Sequence, residues 1–338
     1  MKQALFFKKL EAGKVQCELC PHNCLILPGG RGICGVRENR DGYLFSLVYD
    51  RVISSQVDPI EKKPLFHFLP GSLSYSIATV GCNFRCDFCQ NYGISQGPRE
   101  KKPIVGLETT PEKVVAAALA QGCRSIAYTY TEPTIFFEFA YDCAKLAKTR
   151  GLRNVFVTNG FINRAPLEMV APYLDAANVD LKSFRDEYYR KICGGRLAPV
   201  LETLKLMKQL RIWVELTTLL VPGLNDSDQE LTELAAFIKN ELGEETPWHL
   251  SAFFPTYKLV DLPPTPETTL RRARDIGLAA GLKYVYTGNL PIAEAEDTFC
   301  PQCKEPLITR SGFSVLSNLI DGETACPKCG RPIAGVWR

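Results

Sequence analysis

No stretch of this 338-residue chain reaches the run of about 18 apolar residues that a membrane-crossing helix requires. The N-terminus, MKQALFFKKLEAG, lacks the apolar core of a secretory signal, so a cytoplasmic location is expected. Neither sign of charge dominates. Forty Lys and Arg stand against 37 Asp and Glu, a net of +3, which gives no overall field to gather nucleic acid; neither a nucleic-acid nor a membrane partner is expected. The short basic runs Lys62-Lys63 and Arg99-Glu100-Lys101-Lys102 read as solvated faces or loops. No solenoid-type repeat is present. What remains is ordinary globular composition, 46% hydrophobic and 23% charged, with length enough for a barrel-sized core and additions at both ends.

Cysteine is abundant: fourteen residues, most of them in three clusters. Cys17, Cys20, Cys24 and Cys34 form the first, Cys82, Cys86 and Cys89 the second, and Cys300, Cys303, Cys326 and Cys329 the third. In a chain with a large core and no secretory signal, close-spaced cysteines point to metal ligands rather than disulfides. Cys123, Cys143 and Cys193 stand alone and read as packing residues.

Short apolar runs at 74–80, 125–130, 154–158, 177–181, 213–220 and 248–254 read as strands, with a final one at 284–287. Helical patterns at 111–121, 134–149, 199–210, 227–242 and 266–280 separate them, the first with Thr110 as cap and Pro111 at its first position. Alternating strand and helix predicts an α/β fold with a parallel sheet, and six units predict a partial (β/α)6 barrel with ligands at the carboxyl ends of its strands. The expected organisation is a Cys-rich N-terminal extension over 1–72, the partial barrel over 73–294, and a zinc-ribbon-like segment over 295–338.

The loop after the first barrel strand, TVGCNFRCDFCQN from Thr79 to Asn91, spaces its cysteines C-x3-C-x2-C. Three thiolates can hold three irons of a cubane and leave the fourth open. A zinc knuckle with a distant fourth ligand, or three unliganded cysteines near a turn, are the structural alternatives.

This loop, with the aromatic Phe88 before its last cysteine, resembles the signature of the radical S-adenosylmethionine (radical SAM) superfamily. The resemblance implies a 4Fe-4S cluster on Cys82, Cys86 and Cys89, with S-adenosylmethionine on the open iron. It implies reductive cleavage of that cofactor to a 5′-deoxyadenosyl radical, which abstracts hydrogen from a substrate. Glu132, in Thr129-Tyr130-Thr131-Glu132-Pro133, corresponds to the acid that receives the methionyl amino group, though the usual glycines are replaced. Val157-Thr158-Asn159-Gly160 and Val179-Asp180-Leu181-Lys182 resemble segments of glycyl-radical-enzyme activases. They imply cofactor contacts by Asn159, Asp180 and Lys182; a plain turn and a buried ion pair are the competing readings. Leu219 to Asp226 resembles the activases too, as a lining of the adenosyl pocket. Where the activases carry a histidine shortly after a proline, this chain has Pro255-Thr256-Tyr257. His249 reads as a core histidine.

The N-terminal set, C-x2-C-x3-C-x9-C, suggests a closed site for zinc or an auxiliary Fe-S cluster; His22 reads as a surface residue. Cys300, Cys303, Cys326 and Cys329 form two knuckles separated by 22 residues, a zinc-ribbon pattern with rubredoxin-like iron the alternative. The order of these motifs along nearly the whole chain is similar to the radical SAM member of the AmmeMemoRadiSam system. That likeness implies AMMECR-type and Memo-type partners and an electron donor such as flavodoxin or ferredoxin. Three functions follow: a radical enzyme acting on an undetermined substrate, a glycyl-radical-enzyme activase, or a non-catalytic zinc/Fe-S scaffold.

Overall fold

A computed structural model describes residues 1–99, 102–320 and 324–338; Glu100 and Lys101 of the second basic run lie outside the described residues. The central sheet has eight strands among the described residues. They are β1 (Ser54–Pro59), β2 (Leu73–Ala78), β3 (Ser125–Tyr128), β4 (Arg153–Thr158), β5 (Ala176–Asp180), β6 (Trp213–Leu220), β7 (Trp248–Ala252) and β8 (Val285–Gly288). Their spatial order is β8-β7-β6-β5-β4-β3-β2-β1. Strands β2 to β8 are parallel. Every residue of β3 is buried, as expected of a parallel strand covered on both faces.

The main helices are α1 (Pro111–Ala120), α2 (Phe137–Thr149), α3 (Arg164–Val170), α4 (Leu197–Gln209), α5 (Asp228–Phe237) and α6 (Glu267–Ala279). One lies in each of the six crossovers from β2 to β8, so six βα units and a seventh parallel strand make up the sheet. Thr110 caps α1, its hydroxyl accepting from the Lys113 amide at 3.4 Å. Ser227 caps α5 in the same way at 3.3 Å.

The structure differs from expectation at several elements. The sheet begins before residue 73, because Ser54–Pro59 pairs antiparallel with β2, from Ser54 opposite Ala78 to Pro59 opposite Leu73. The pattern at 134–149 opens as a 3-10 turn, Pro133–Phe136, before α2, and the pattern at 227–242 closes in a wide turn over Ile238–Leu242. Helix α3, with a proline in its first turn and only 7 residues, has too short a period to read from sequence.

Lys63 is the clearest correction to the charge pattern. It is buried, with its ammonium 2.6 Å from Asp58, while Lys62 reaches the same carboxylate at 2.8 Å from a half-exposed position. Ser76 and Tyr130 also donate to Asp58. The segment that follows is tied to the N-terminal part of β6. The amides of Phe66 and His67 donate to the Glu215 carboxylate at 2.9 and 2.8 Å. The C-terminal tail joins there, Val336 and Leu69 exchanging bonds with His67 and Val336 at 2.7 Å. A small antiparallel sheet, Thr298–Phe299, Pro306–Ser311 and Ser314–Asn318, carries the Cys-rich tail. Two more small antiparallel sheets form the N-terminal segment. Among the described residues, no helix is long and apolar enough to cross a membrane.

Candidate metal centre

The cysteine loop leaves β2 at the carboxyl end of the sheet, where parallel α/β folds gather their ligands. Gly81 starts it with φ of 100°, and a Cβ there would come within 2.7 Å of Val36 Cγ1. Only glycine serves both the angle and the approach. Cys82 and Cys86 are buried and Cys89 is partly so. Donors already face their sulfurs: the Phe84 amide at 3.3 Å and the Asn159 amide group at 3.8 Å from Cys82 Sγ, with the Ser95 hydroxyl 3.3 Å from Cys89 Sγ. Such donors stabilise thiolates and tune cluster potentials.

Neighbouring segments fix the loop from several sides. The amides of Arg85 and Asp87 donate to the carbonyls of Cys193 and Ile192 at 2.8 and 3.0 Å. Arg99 donates to the Cys82 carbonyl at 3.0 Å, and Asn83 to the Phe161 carbonyl at 2.9 Å. The 255–258 segment closes over the far side: Lys258 donates its amide to the Asp87 carbonyl at 3.0 Å, and Tyr257 stacks on Tyr92 with ring centres 4.7 Å apart. Tyr257 thus packs beside this loop.

Burial pushes the thiols of Cys82 and Cys89 up; for Cys86 the hydrogen bond with Cys193 leads and burial follows. Ligation exchanges these protons for metal. Cys193 is buried in the core, as expected of a packing residue, and its thiol also meets Cys86. It ends the wide turn Tyr189–Cys193 and sets its thiol against Cys86. Its signal in the sequence is the Gly194-Gly195 pair that follows, which lets this turn approach the cysteine loop: a Cβ on Gly195 would sit 2.3 Å from Phe84 Cε1.

The other sequence-selected residues surround this loop. Asn159 donates to Asn83 Oδ1 at 2.8 Å. Lys182 and Asp180 form an ion pair at 2.8 Å, on one side of the chain as alternation requires. Burial alone would lower Lys182, but Asp180 and the thiols of Cys86 and Cys193 raise it well above its ordinary value. Glu132 is fully buried and accepts four bonds: from the Thr134 amide and hydroxyl, the Thr158 hydroxyl and the Asn159 amide, at 2.6 to 3.0 Å. Three of these bonds fall on Oε1 and one on Oε2, so Oε2 keeps a lone pair for a further donor. Asn225 links the ends of β5 and β6, donating to the carbonyls of Lys182 and Leu219 at 2.7 and 2.9 Å. His249 is a satisfied core group, 2.7 Å from Glu215.

The terminal clusters differ from each other. The C-terminal sulfurs of Cys300, Cys303, Cys326 and Cys329 all lie within 4.8 Å of one another. Two of the separations are 3.6 Å. Tetrahedral zinc with Zn–S near 2.3 Å sets thiolates about 3.8 Å apart, so this set fits zinc. Cys17, Cys20, Cys24 and Cys34 line one small cavity shared with Asn83, Thr134 and Ile135. His22, expected at the surface, is half-buried there against Phe161, its Nε2 2.8 Å from the Asn83 carbonyl.

Residues 76–235 match the family model described as the Radical SAM superfamily. The chain is 48% identical over 334 residues to the uncharacterized protein MJ0808 of Methanocaldococcus jannaschii, covering 98% of this chain and 99% of that one. It is 25% identical over 224 residues to the pyruvate formate-lyase 1-activating enzyme of Escherichia coli strain K12, covering 61% and 89%. Among solved structures, Streptococcus suis SuiB bound to S-adenosylmethionine superposes with a TM-score of 0.52 at 14% identity, covering 72% of this chain and 56% of that one, a likeness of fold.

Proposed function

Because the chain belongs to the radical SAM superfamily, we propose that it cleaves S-adenosylmethionine reductively and uses the product to abstract hydrogen from a substrate. The observation that carries this reading is the loop after β2, which offers three buried or half-buried cysteines with donors already facing their sulfurs. When bound, a 4Fe-4S cluster with S-adenosylmethionine at its open iron supplies the electron that breaks the carbon–sulfur bond and frees a 5′-deoxyadenosyl radical.

The chain's own residues hold, orient and neutralise. Cys82, Cys86 and Cys89 ligate. Lys182, raised and paired with Asp180, keeps a permanent positive charge close to Cys86, where thiolates gather negative charge. It is suited to a methionyl carboxylate, and Asp180 to a ribose hydroxyl or an amine. Asn159 holds Asn83, and with it the first cysteine, in register with the end of β4. Glu132 brackets the ends of β3 and β4 and is suited to an amino group through Oε2, which accepts one bond only.

Anaerobic reconstitution with iron and sulfide, reduction, and assay of 5′-deoxyadenosine test the proposal. The wild type releases it; the Cys82→Ala, Cys86→Ala, Cys89→Ala triple variant does not. Equal release from both sinks the reading.

The likeness to a pyruvate formate-lyase 1-activating enzyme favours a second form of the same chemistry, in which the substrate is a glycine of a partner protein. Electron paramagnetic resonance of the reduced enzyme with such a partner reports a protein-borne radical in that case. The order of motifs along the chain supports AMMECR-type and Memo-type partners and a flavodoxin- or ferredoxin-type reductant.

A further inference from the structure

The central sheet does not close on itself: β8 and β1 stand at its two ends. The chain after β1 crosses to the other end, where Phe66 packs on His249 of β7 and Tyr286 of β8 with ring centres 4.7 and 4.8 Å apart. Gly312 and Phe313, at the tip of the C-terminal hairpin, come over the same place. These pieces leave a partly open cavity of about 250 Å³ in the seam. An apolar cavity of roughly 150 Å³ takes up benzene, so this one has room for a ring with a short side chain.

Its walls are apolar, with acid set among them. Phe66, Leu290, Pro291 and Phe313 supply the apolar part, and Glu61 and Glu296 the carboxylates. Among the described residues, those lining it include no Lys or Arg. Glu61 is 1% exposed. Its Oε1 accepts the Gly71 amide at 2.8 Å, while its Oε2 is buried with no hydrogen-bond partner. A buried carboxylate oxygen without a donor is costly unless a ligand supplies one.

The surrounding charge calls for a cation. One guanidinium, that of Arg310, is shared by Glu61, Glu215, Glu296 and Asp297. Its terminal nitrogens are committed to the Phe66 and Glu296 carbonyls and the Thr298 hydroxyl. Its Nε stands 4.0 Å from Glu61 Oε1, too far for a hydrogen bond. Negative charge is left over, and burial pushes the carboxyls of Glu61 and Glu296 up. These acids do not make a metal site: among the described residues, the only group of three or more His, Cys, Asp or Glu ligand atoms within 4.8 Å of one another is that of the C-terminal cysteines. An ammonium on an apolar body matches both the acid and the walls.

We propose that the seam cavity binds a small organic amine, its ammonium donating to Glu61 Oε2 and its apolar body lying against Phe66 and Phe313. The cavity shares no lining residue with the cysteine loop or with the residues assigned to S-adenosylmethionine, so the proposal stands whether or not the radical chemistry does.

Benzylamine is the probe, with benzyl alcohol as its neutral match and benzoate as its anionic one. Saturation-transfer NMR on the full chain reads the binding of each. Benzylamine is expected to bind about tenfold more tightly than benzyl alcohol, and benzoate not to bind. Glu61→Gln keeps the shape of the side chain and an acceptor for the Gly71 amide; it is expected to weaken benzylamine about tenfold and to leave benzyl alcohol unchanged. Ser251→Leu, which fills the cavity from β7, is expected to abolish the binding of both. Melting temperatures show that each variant is folded; if Glu61→Gln is not, Glu296→Gln, at a half-buried position, takes its place with the same expectation. Absence of benzylamine binding by the wild type overturns the proposal. So do equal affinities for benzylamine and benzyl alcohol, and benzylamine binding that neither the Gln nor the Leu substitution changes.

Discussion

Gly195 is where one hydrogen atom's worth of space controls the cysteine loop. A methyl group there would press on Phe84, which cannot withdraw because Phe161 and Tyr189 pack against it at 5.0 and 6.0 Å between ring centres. Gly195→Ala is expected to cost roughly 1–3 kcal/mol of local packing and to lower the iron retained after reconstitution. Full retention contradicts this. Cys193 acts on the same loop through its thiol. Cys193→Ala is expected to keep the full iron content and to give the cluster on this loop a lower potential: Cys86 donates to Cys193 in the metal-free chain, and once ligation takes the Cys86 proton the Cys193 thiol becomes the donor that the variant lacks. Loss of four irons would show instead that Cys193 is a ligand. The proposed ligands were readable from spacing, since C-x3-C-x2-C is local in sequence. Cys193 was not: its contact with Cys86 spans more than a hundred residues and depends on the path of a turn.

At the level of elements, hydrophobic periodicity found every parallel strand within about two residues. It missed β1, whose polar sequence Ser-Ser-Gln-Val-Asp-Pro lacks a core-strand pattern and takes its place from β2. It also treated Lys63 as solvated, because burial of a lysine depends on a partner brought in from elsewhere, here Asp58. The connection from β1 to β2 contains a pH-dependent joint. Burial holds His67 down at about 4, below its ordinary 6.5. Its Nδ1 meets the Ala334 carbonyl at 2.7 Å and its Nε2 the Tyr286 hydroxyl at 2.6 Å, the bonds of a neutral ring. Between pH 6.5 and 4 the unfolded chain binds a proton that the native ring refuses. Stability from this residue is complete above 6.5 and falls as pH drops toward 4, by roughly 3 kcal/mol over the window. The melting-temperature advantage of wild type over His67→Gln should shrink from pH 7 to pH 4.5, and thiol titrations common to both proteins cancel in the comparison. A constant difference contradicts the assignment.

Across the whole molecule, the two Cys-rich ends brace different regions of one eight-stranded sheet. The N-terminal segment packs on the cysteine loop through Val36, His22 and the Arg99 bonds to Ile33 and Cys82. The C-terminal segment joins the connection between β1 and β2 through Val336 and His67. The sequence suggested both ends as metal-binding units, but only the folded chain shows what each packs against. Cys326→Ala with Cys329→Ala should abolish metal binding by the C-terminal four, leave the iron of the loop unchanged, and speed amide exchange at Leu69 and Val336, whose bonds depend on the tail. Unchanged exchange would mean that the tail stays docked without metal. The central claim remains the open iron beside Cys82, Cys86 and Cys89. Mössbauer spectroscopy of the ⁵⁷Fe-reconstituted wild type, with and without S-adenosylmethionine, reads it directly. The account predicts that the cofactor changes the parameters of one iron subsite and leaves the others in place; identical spectra would contradict it.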